Sequence, residues 1–226
     1  MKSHRNSQKR IYIPDAAYFI TVKTLGNYPY FKDGIFCDLF VEQLRVCKRL
    51  KEFELYGWFL GYDHFHLVIR PIGEWNYSEI MFSIKKQFSH NVNIVMGFNP
   101  FSAPVPTNAR PSQIPPKAGN RLPAFGGDDS SGSRLRPEFQ KFAPDIHRLD
   151  SSIVRARIRF ILKYDDRNPF PKFRWQESFR DHYIRGESDL RNNLWYIMNN
   201  PIKHKLPKNW PYIFTNPKFD DLHDSI

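Results

Sequence analysis

The chain predicts an α+β fold, in which antiparallel strands carry amphipathic helices, and three observations predict it. Tyr18-Phe19-Ile20-Thr21-Val22 is rich in the β-branched and aromatic residues that strands favour. Phe36, Phe40, Leu44, Cys47 and Leu50 recur at three- and four-residue steps, the spacing of one helix face. Phe53 to Leu60 and His64 to Ile69 are apolar runs joined by the turn-like Tyr62-Asp63, and so read as an antiparallel hairpin.

The elements follow in order. Lys2, Arg5, Lys9 and Arg10 make a basic arm able to lie along phosphates. After the first strand and the turn at Gly26-Asn27-Tyr28-Pro29, Asp33 is placed to cap the first helix. Beyond the hairpin, Asn76-Tyr77-Ser78-Glu79 has capping-box spacing. The helix it opens buries Ile80, Met81, Ile84 and Phe88, turns Lys85 and Lys86 outward and closes at Gly97 and Pro100. From 99 to 144 the composition shifts to Pro, Gly, Ser and Ala, with the run Gly126-Gly127-Asp128-Asp129-Ser130-Ser131-Gly132. Such a stretch buries too little apolar surface to offset its ordering entropy, so it reads as a mobile insertion in one domain over 1–215, with a tail over 216–226. Arg110, Lys117, Arg121, Arg134 and Arg136 make that insertion basic.

A helix resumes from about Asp145 to Tyr164, its Ile146, Leu149, Ile153, Phe160 and Tyr164 on one side. Arg155, Arg159 and Lys163 stand four apart on another, a stripe that suits a phosphate backbone or a solvated face. Phe173 to Arg185 is strand-like and thick with aromatics. Gly186-Glu187-Ser188 opens a last helix through Leu190, Leu194 and Ile197, which Pro201 is expected to stop.

Composition narrows the function classes. With 226 residues, 41% hydrophobic and 16% aromatic, the chain has ample material for a core. Its 34 Lys and Arg against 23 Asp and Glu give a formal charge of +11, which favours a polyanionic partner such as nucleic acid. Cys37 and Cys47 suit neither a metal knuckle nor a disulfide framework and read as reduced thiols in a helix. No apolar run approaches the roughly 18 residues of a membrane span, and no signal-peptide core follows Met1. The expectation is a cytoplasmic protein with no membrane partner.

The chemistry starts at His64-Phe65-His66. On a strand, residues two apart leave the sheet on the same side, so both imidazoles share a face and offer two points of grip on a divalent metal. In the last helix Tyr196 and Asn200 are four apart, so a hydroxyl and an amide project together. Trp175, Phe179, Tyr183 and Trp195 are candidates either for the core or for stacking on unpaired bases.

Three segments, taken together, resemble the REP-associated tyrosine transposases, single-tyrosine HUH transposases of the insertion-sequence type. They are His64-Phe65-His66-Leu67-Val68, then Trp175-Gln176 with Asp181-His182-Tyr183-Ile184-Arg185, then Tyr196-Ile197-Met198-Asn199-Asn200-Pro201-Ile202-Lys203-His204. The resemblance covers about Tyr18 to Trp210, outside the insertion. It implies a ferredoxin-like domain, His64 and His66 as metal ligands, Tyr196 as the nucleophile and Asn200 at the place of a third polar ligand, where related enzymes usually carry Gln. It implies Mg²⁺ or Mn²⁺ as cofactor, single-stranded DNA with hairpin or repeat elements as partner, and either a monomer or a homodimer. Arg155, Arg159, Lys163, Lys85, Lys86 and Arg10 are the expected phosphate contacts.

That chemistry suits the residue types. A phenol, with an ordinary pKa of about 10, is a poor nucleophile at neutral pH unless phosphorus is made more electrophilic, which a metal on a non-bridging oxygen does. Attack by Tyr196 on a phosphodiester would form a 5′-phosphotyrosine and release a 3′-hydroxyl, which a second strand's 3′-hydroxyl reverses without a nucleotide cofactor. Two other readings stand beside it. A histidine-triad hydrolase also uses alternating histidines but requires a third where this chain has Val68. A domesticated protein that binds hairpin nucleic acid without cutting it is the non-enzymatic alternative.

Overall fold

The structure, a computed structural model, describes residues 10–99, 143–165 and 167–218. The arm before Arg10, nearly all of the Pro/Gly-rich insertion and most of the tail lie outside the described residues. Strands β1 (Tyr18–Lys23), β2 (Phe53–Leu60), β3 (His64–Pro71), β4 (Arg180–Tyr183) and β5 (Ile213–Thr215) alternate with helices α1 (Gly34–Leu50), α2 (Tyr77–Val95), α3 (Ala143–Tyr164) and α4 (Glu187–Lys203). They form one sheet in the order β4-β1-β3-β2-β5. Every neighbouring pair is antiparallel. Setting α3 aside, β1-α1-β2-β3-α2-β4 is the split βαβ of ferredoxin-like folds, and α4 and β5 extend it.

Alternation along the strands divides the molecule into two cores. Ile20, Val22, Phe65, Leu67 and Ile69 enter the larger one with Phe36, Phe40, Phe88 and Phe160 from α1, α2 and α3. On the other face Tyr56, Phe59 and Val68 meet Leu194 and Ile197 of α4. A bulge in β2 shifts the register between Leu55 and Gly57. The extra residue re-phases the strand. Leu55 and Trp58 therefore point into the larger core, while Tyr56 and Phe59 point at α4. Gly57 sets how near α4 comes, since a Cβ there would lie 2.9 Å from Leu194 Cδ2 and 3.3 Å from Ile197 Cδ1.

The helix starts follow the sequence. Asp33 caps α1, its side chain accepting from the Ile35 amide. The same carboxylate accepts from Lys163 and Tyr164, which ties α1 to the end of α3. Asn76 and Glu79 form the expected reciprocal capping box on α2. Cys37 and Cys47 are free and buried in α1. Burial pushes the Cys47 thiol up to about 12 and that of Cys37 higher still.

Two expectations need correction. Of the strand-like stretch from Phe173 to Arg185, only Arg180–Tyr183 pairs with β1, and Trp175 makes one isolated bridge to Thr24. Phe173 and Trp175 sink into the larger core instead; aromatic richness there reports burial rather than pairing. The second concerns Pro201, which does not end α4: the helix runs through it to Lys203. A proline so near a C-terminus forfeits one hydrogen bond and leaves little helix beyond it to lose. The last turn is held by His204 N–H to the Asn200 carbonyl at 2.9 Å and Leu206 N–H to the Pro201 carbonyl at 2.8 Å. Among the described residues no helix is long and apolar enough to cross a membrane.

Candidate active site

On β3, Phe65 is buried beneath the helices, so His64 and His66 stand on the α4 face, as strand alternation requires. Their ring centroids are 5.0 Å apart. His64 Nδ1 lies 2.6 Å from Asp63 Oδ1. A carboxylate only accepts, so Nδ1 carries the proton and Nε2 keeps its lone pair, the arrangement that orients metal-binding histidines. His66 Nδ1 lies 2.8 Å from the hydroxyl of Thr21, its cross-strand partner on β1. Phe19 stacks on the His66 ring at 5.2 Å and Phe59 at 6.0 Å. Burial pushes His64 below the usual imidazole value against the opposing pull of Asp63. Burial also pushes His66 well below it, with His64 and His204 adding to the effect. Burial thus favours the neutral form of both rings, the form able to present a lone pair.

Helix α4 brings the remaining groups. Leu194 and Ile197 anchor it on the sheet, which turns Tyr196 to meet His66 edge-on at 5.3 Å between ring centroids. Asn200, one turn on, is fully buried, and its Nδ2 donates to the Tyr196 carbonyl. Asn200 Oδ1 and His66 Nε2 are both buried without a hydrogen-bond partner. Each such unpartnered buried polar atom costs about 1–3 kcal/mol unless something binds it. In the tautomer whose Nδ1–H donates to Thr21, His66 Nε2 has a free lone pair, and the two imidazoles with the Asn200 amide oxygen are donor types that could hold a divalent cation. Among the described residues no group of three or more His, Cys, Asp or Glu side chains converges on a metal position.

Two neighbours, quoted in the family-like segment, had no role assigned from the sequence. Lys203 Nζ donates to the Tyr196 hydroxyl at 3.0 Å and lies 4.6 Å from the centre of its ring. The His204 ring is 4.6 Å from that of His64 and stacks on Phe59 at 6.0 Å. The signal for Lys203 was the i, i+4, i+7 spacing of 196, 200 and 203, hidden by the expected stop at Pro201.

The expected phosphate contacts lie apart from this cluster, around the helices of the opposite face and the segments packed on them. Arg155 donates to Ser152, Arg159 pairs with Asp38 at 2.7 Å, and Lys163 pairs with Asp33 at 2.9 Å. Lys85 is not turned outward: its Nζ donates to the carbonyls of Gln176 and Glu177. Lys86 is exposed beside the Phe82 ring, at 5.6 Å. Arg10 stacks on Phe179 at 3.7 Å and donates to Ser78. The cations that bear on His64 are Lys23 and Lys203. His182 bonds Asp189 at 2.8 Å near the start of α4, a structural part. Of the aromatic candidates, Trp195 is the exposed one, on the outer side of α4 with Met198 and Ile202. A cavity of about 700 Å³ between α1, α3 and β5, lined by Leu44, Trp58, Arg155 and Phe214 among others, holds none of the imidazoles. The imidazole pair with the tyrosine over it, rather than a concavity, marks the site.

Fold and site together define an antiparallel α+β protein with paired histidines on a central strand and a tyrosine helix over them. The solved structure of a REP-associated tyrosine transposase bound to a REP hairpin matches 92% of this chain and 82% of its own, with a TM-score of 0.53 and 17% identity. In sequence, 41 residues are 49% identical to a protein of Haemophilus influenzae provisionally named a REP-associated tyrosine transposase. That stretch is 17% of this chain and spans 23% of the relative's length. No family model matches the chain. The chain is thus similar to the REP-associated tyrosine transposases, in fold over most of its length and in sequence over that stretch.

Proposed function

We propose that the chain is a metal-dependent endonuclease and strand transferase for hairpin-bearing single-stranded DNA, acting through a 5′-phosphotyrosine on Tyr196. One observation carries the reading: within a single chain the phenol of Tyr196 meets the ring of His66 at 5.3 Å, and His66 Nε2 and Asn200 Oδ1 are buried without hydrogen-bond partners. The likeness to a transposase solved with a REP hairpin supports the choice of DNA.

His64, His66 and Asn200 would hold Mg²⁺ or Mn²⁺. When bound there, the ion would polarise a non-bridging phosphate oxygen and so make phosphorus more electrophilic. The chain's own residues do the rest. Asp63 and Thr21 fix the two imidazoles by their Nδ1 contacts. Phe19 and Phe59 exclude water from the His66 ring. Tyr196 supplies the oxygen that displaces the 3′ oxygen, which departs as a 3′-hydroxyl. The covalent link keeps the phosphodiester's energy for rejoining, so that one site both cuts and joins.

The test is incubation of the protein with labelled single-stranded hairpin DNA and Mn²⁺, followed by a denaturing gel. Expected are a nick, an upstream fragment with a free 3′-hydroxyl and a downstream fragment linked to the protein through its 5′ end, all absent for the His64→Ala/His66→Ala double variant. Tight binding of the hairpin by wild type with no nick under either ion leaves only the non-cleaving reading.

A further inference from the structure

We infer that Lys203 is a catalytic residue of this site: its ammonium holds the charge that forms on the Tyr196 oxygen as that oxygen enters and leaves phosphorus. The inference rests on the proposed strand-transfer reading and adds to it the group that makes tyrosine a competent leaving group.

The geometry comes from the helix. Residues 196, 200 and 203 fall at i, i+4 and i+7, nearly the same angle around the axis, so one stripe of α4 carries nucleophile, ligand and cation. The alignment exists because α4 continues through Pro201 to Lys203. At its end, Lys203 Nζ donates to the Tyr196 hydroxyl oxygen at 3.0 Å. The ammonium also lies 4.6 Å from the ring centroid, so it follows the phenol as a unit. Lys203 is exposed and makes none of the core contacts that hold α4. Nothing in the packing requires a lysine there.

The chemistry requires a donor at that oxygen. In cleavage, the phenol loses its proton to solvent, its oxygen bonds to phosphorus, and the bond from phosphorus to the 3′ oxygen breaks. The departing oxygen takes a proton from solvent. In joining, a 3′-hydroxyl loses its proton to solvent and bonds to phosphorus, and the tyrosyl oxygen–phosphorus bond breaks with its electron pair left on the phenolic oxygen. Both directions pass through partial negative charge on that one oxygen. An N⁺–H donor already aimed at it stabilises both transition states without reorganisation.

Three proteins decide the matter, wild type, Lys203→Met and Lys203→Arg, with hairpin DNA at saturating concentration and Mn²⁺. Adduct formation and rejoining are followed in single turnovers, and DNA affinity is measured separately as a function of salt. The expected result is a fall of about 100-fold or more in both rate constants for Lys203→Met. Lys203→Arg, which keeps the charge, should recover to within about 10-fold of wild type. If Lys203→Met instead weakens DNA binding and lowers the salt slope by about one while both rate constants at saturation stay the same, Lys203 is only a phosphate contact, and the inference is overturned. Equal losses for Met and Arg, with a shifted melting curve, would make the residue structural and overturn it too. A wild type that forms no adduct overturns the strand-transfer reading and this inference together, a result distinct from either of the others.

Discussion

Asp63 Oδ1 lies 2.6 Å from His64 Nδ1, two adjacent residues arranged so that the carboxylate fixes which imidazole nitrogen is free. Removing such a partner of a metal-bound histidine typically costs 10- to 100-fold in metal affinity. Asp63→Ala is therefore expected to weaken Mn²⁺ binding by about 10-fold or more in titration calorimetry while the fold is kept. An affinity equal to wild type would show that His64 needs no orientation or binds no metal.

Gly61 tests the same ring from the other side. A Cβ there would lie 2.7 Å from His64 Cε1 and 3.1 Å from its Nδ1, so the ring must move to admit it. Gly61→Ala is predicted to lower Mn²⁺ affinity, because the group that must give way is the ring of a proposed ligand. Loss of stability with unchanged Mn²⁺ affinity would contradict this.

Gly57 governs the approach of the tyrosine helix. Gly57→Val adds bulk against Leu194 and Ile197, and overpacking of that kind costs about 1–3 kcal/mol. Urea unfolding should show that loss. Adduct formation should fall further than stability alone explains, since α4 is pushed away from β3 together with Tyr196. Full activity in the folded variant would mean that the site tolerates a displaced helix.

Asp33 gives a pH dependence with a definite sign. Burial raises its carboxyl, but hydrogen bonds from Tyr164, Lys163 and the Ile35 amide outweigh it and hold the group below the ordinary carboxylate value. A folded pKa below the unfolded one contributes stability that is present above the unfolded value and is lost as pH falls through the folded one. Asp33→Asn keeps a capping side chain but removes the charge, so at pH 7 it should cost about 1–3 kcal/mol. The gap between wild type and variant should narrow as pH drops below about 4. A gap that persists unchanged at pH 2 would refute the assignment.

What the sequence made legible was local and periodic. The shared face of His64 and His66 follows from a period of two. The Asp33 cap and the Asn76–Glu79 box follow from spacings of two or three residues, and the neighbourhood of Tyr196 and Asn200 from a spacing of four. What stayed hidden depends on pairing between distant segments. Thr21 reaches His66 only because β1 and β3 adopt one register. Phe59 reaches the imidazoles only because β2 carries a bulge at Tyr56, and the glycine beside it, Gly57, was a signal the sequence reading did not use. The Lys163 and Arg159 stripe was visible as a spacing. Its acidic partners Asp33 and Asp38, more than a hundred residues away, were not. Lys203 was concealed by a proline whose helix-breaking effect is weak in a last turn.

The most direct measurement isolates the covalent protein–DNA product formed with Mn²⁺, digests it and maps the modified residue by mass spectrometry. The account predicts a single phosphodiester link from the Tyr196 oxygen to the 5′ end of the cleaved strand, and no link in Tyr196→Phe. A link to any other residue, or an adduct of equal yield in that variant, would contradict it.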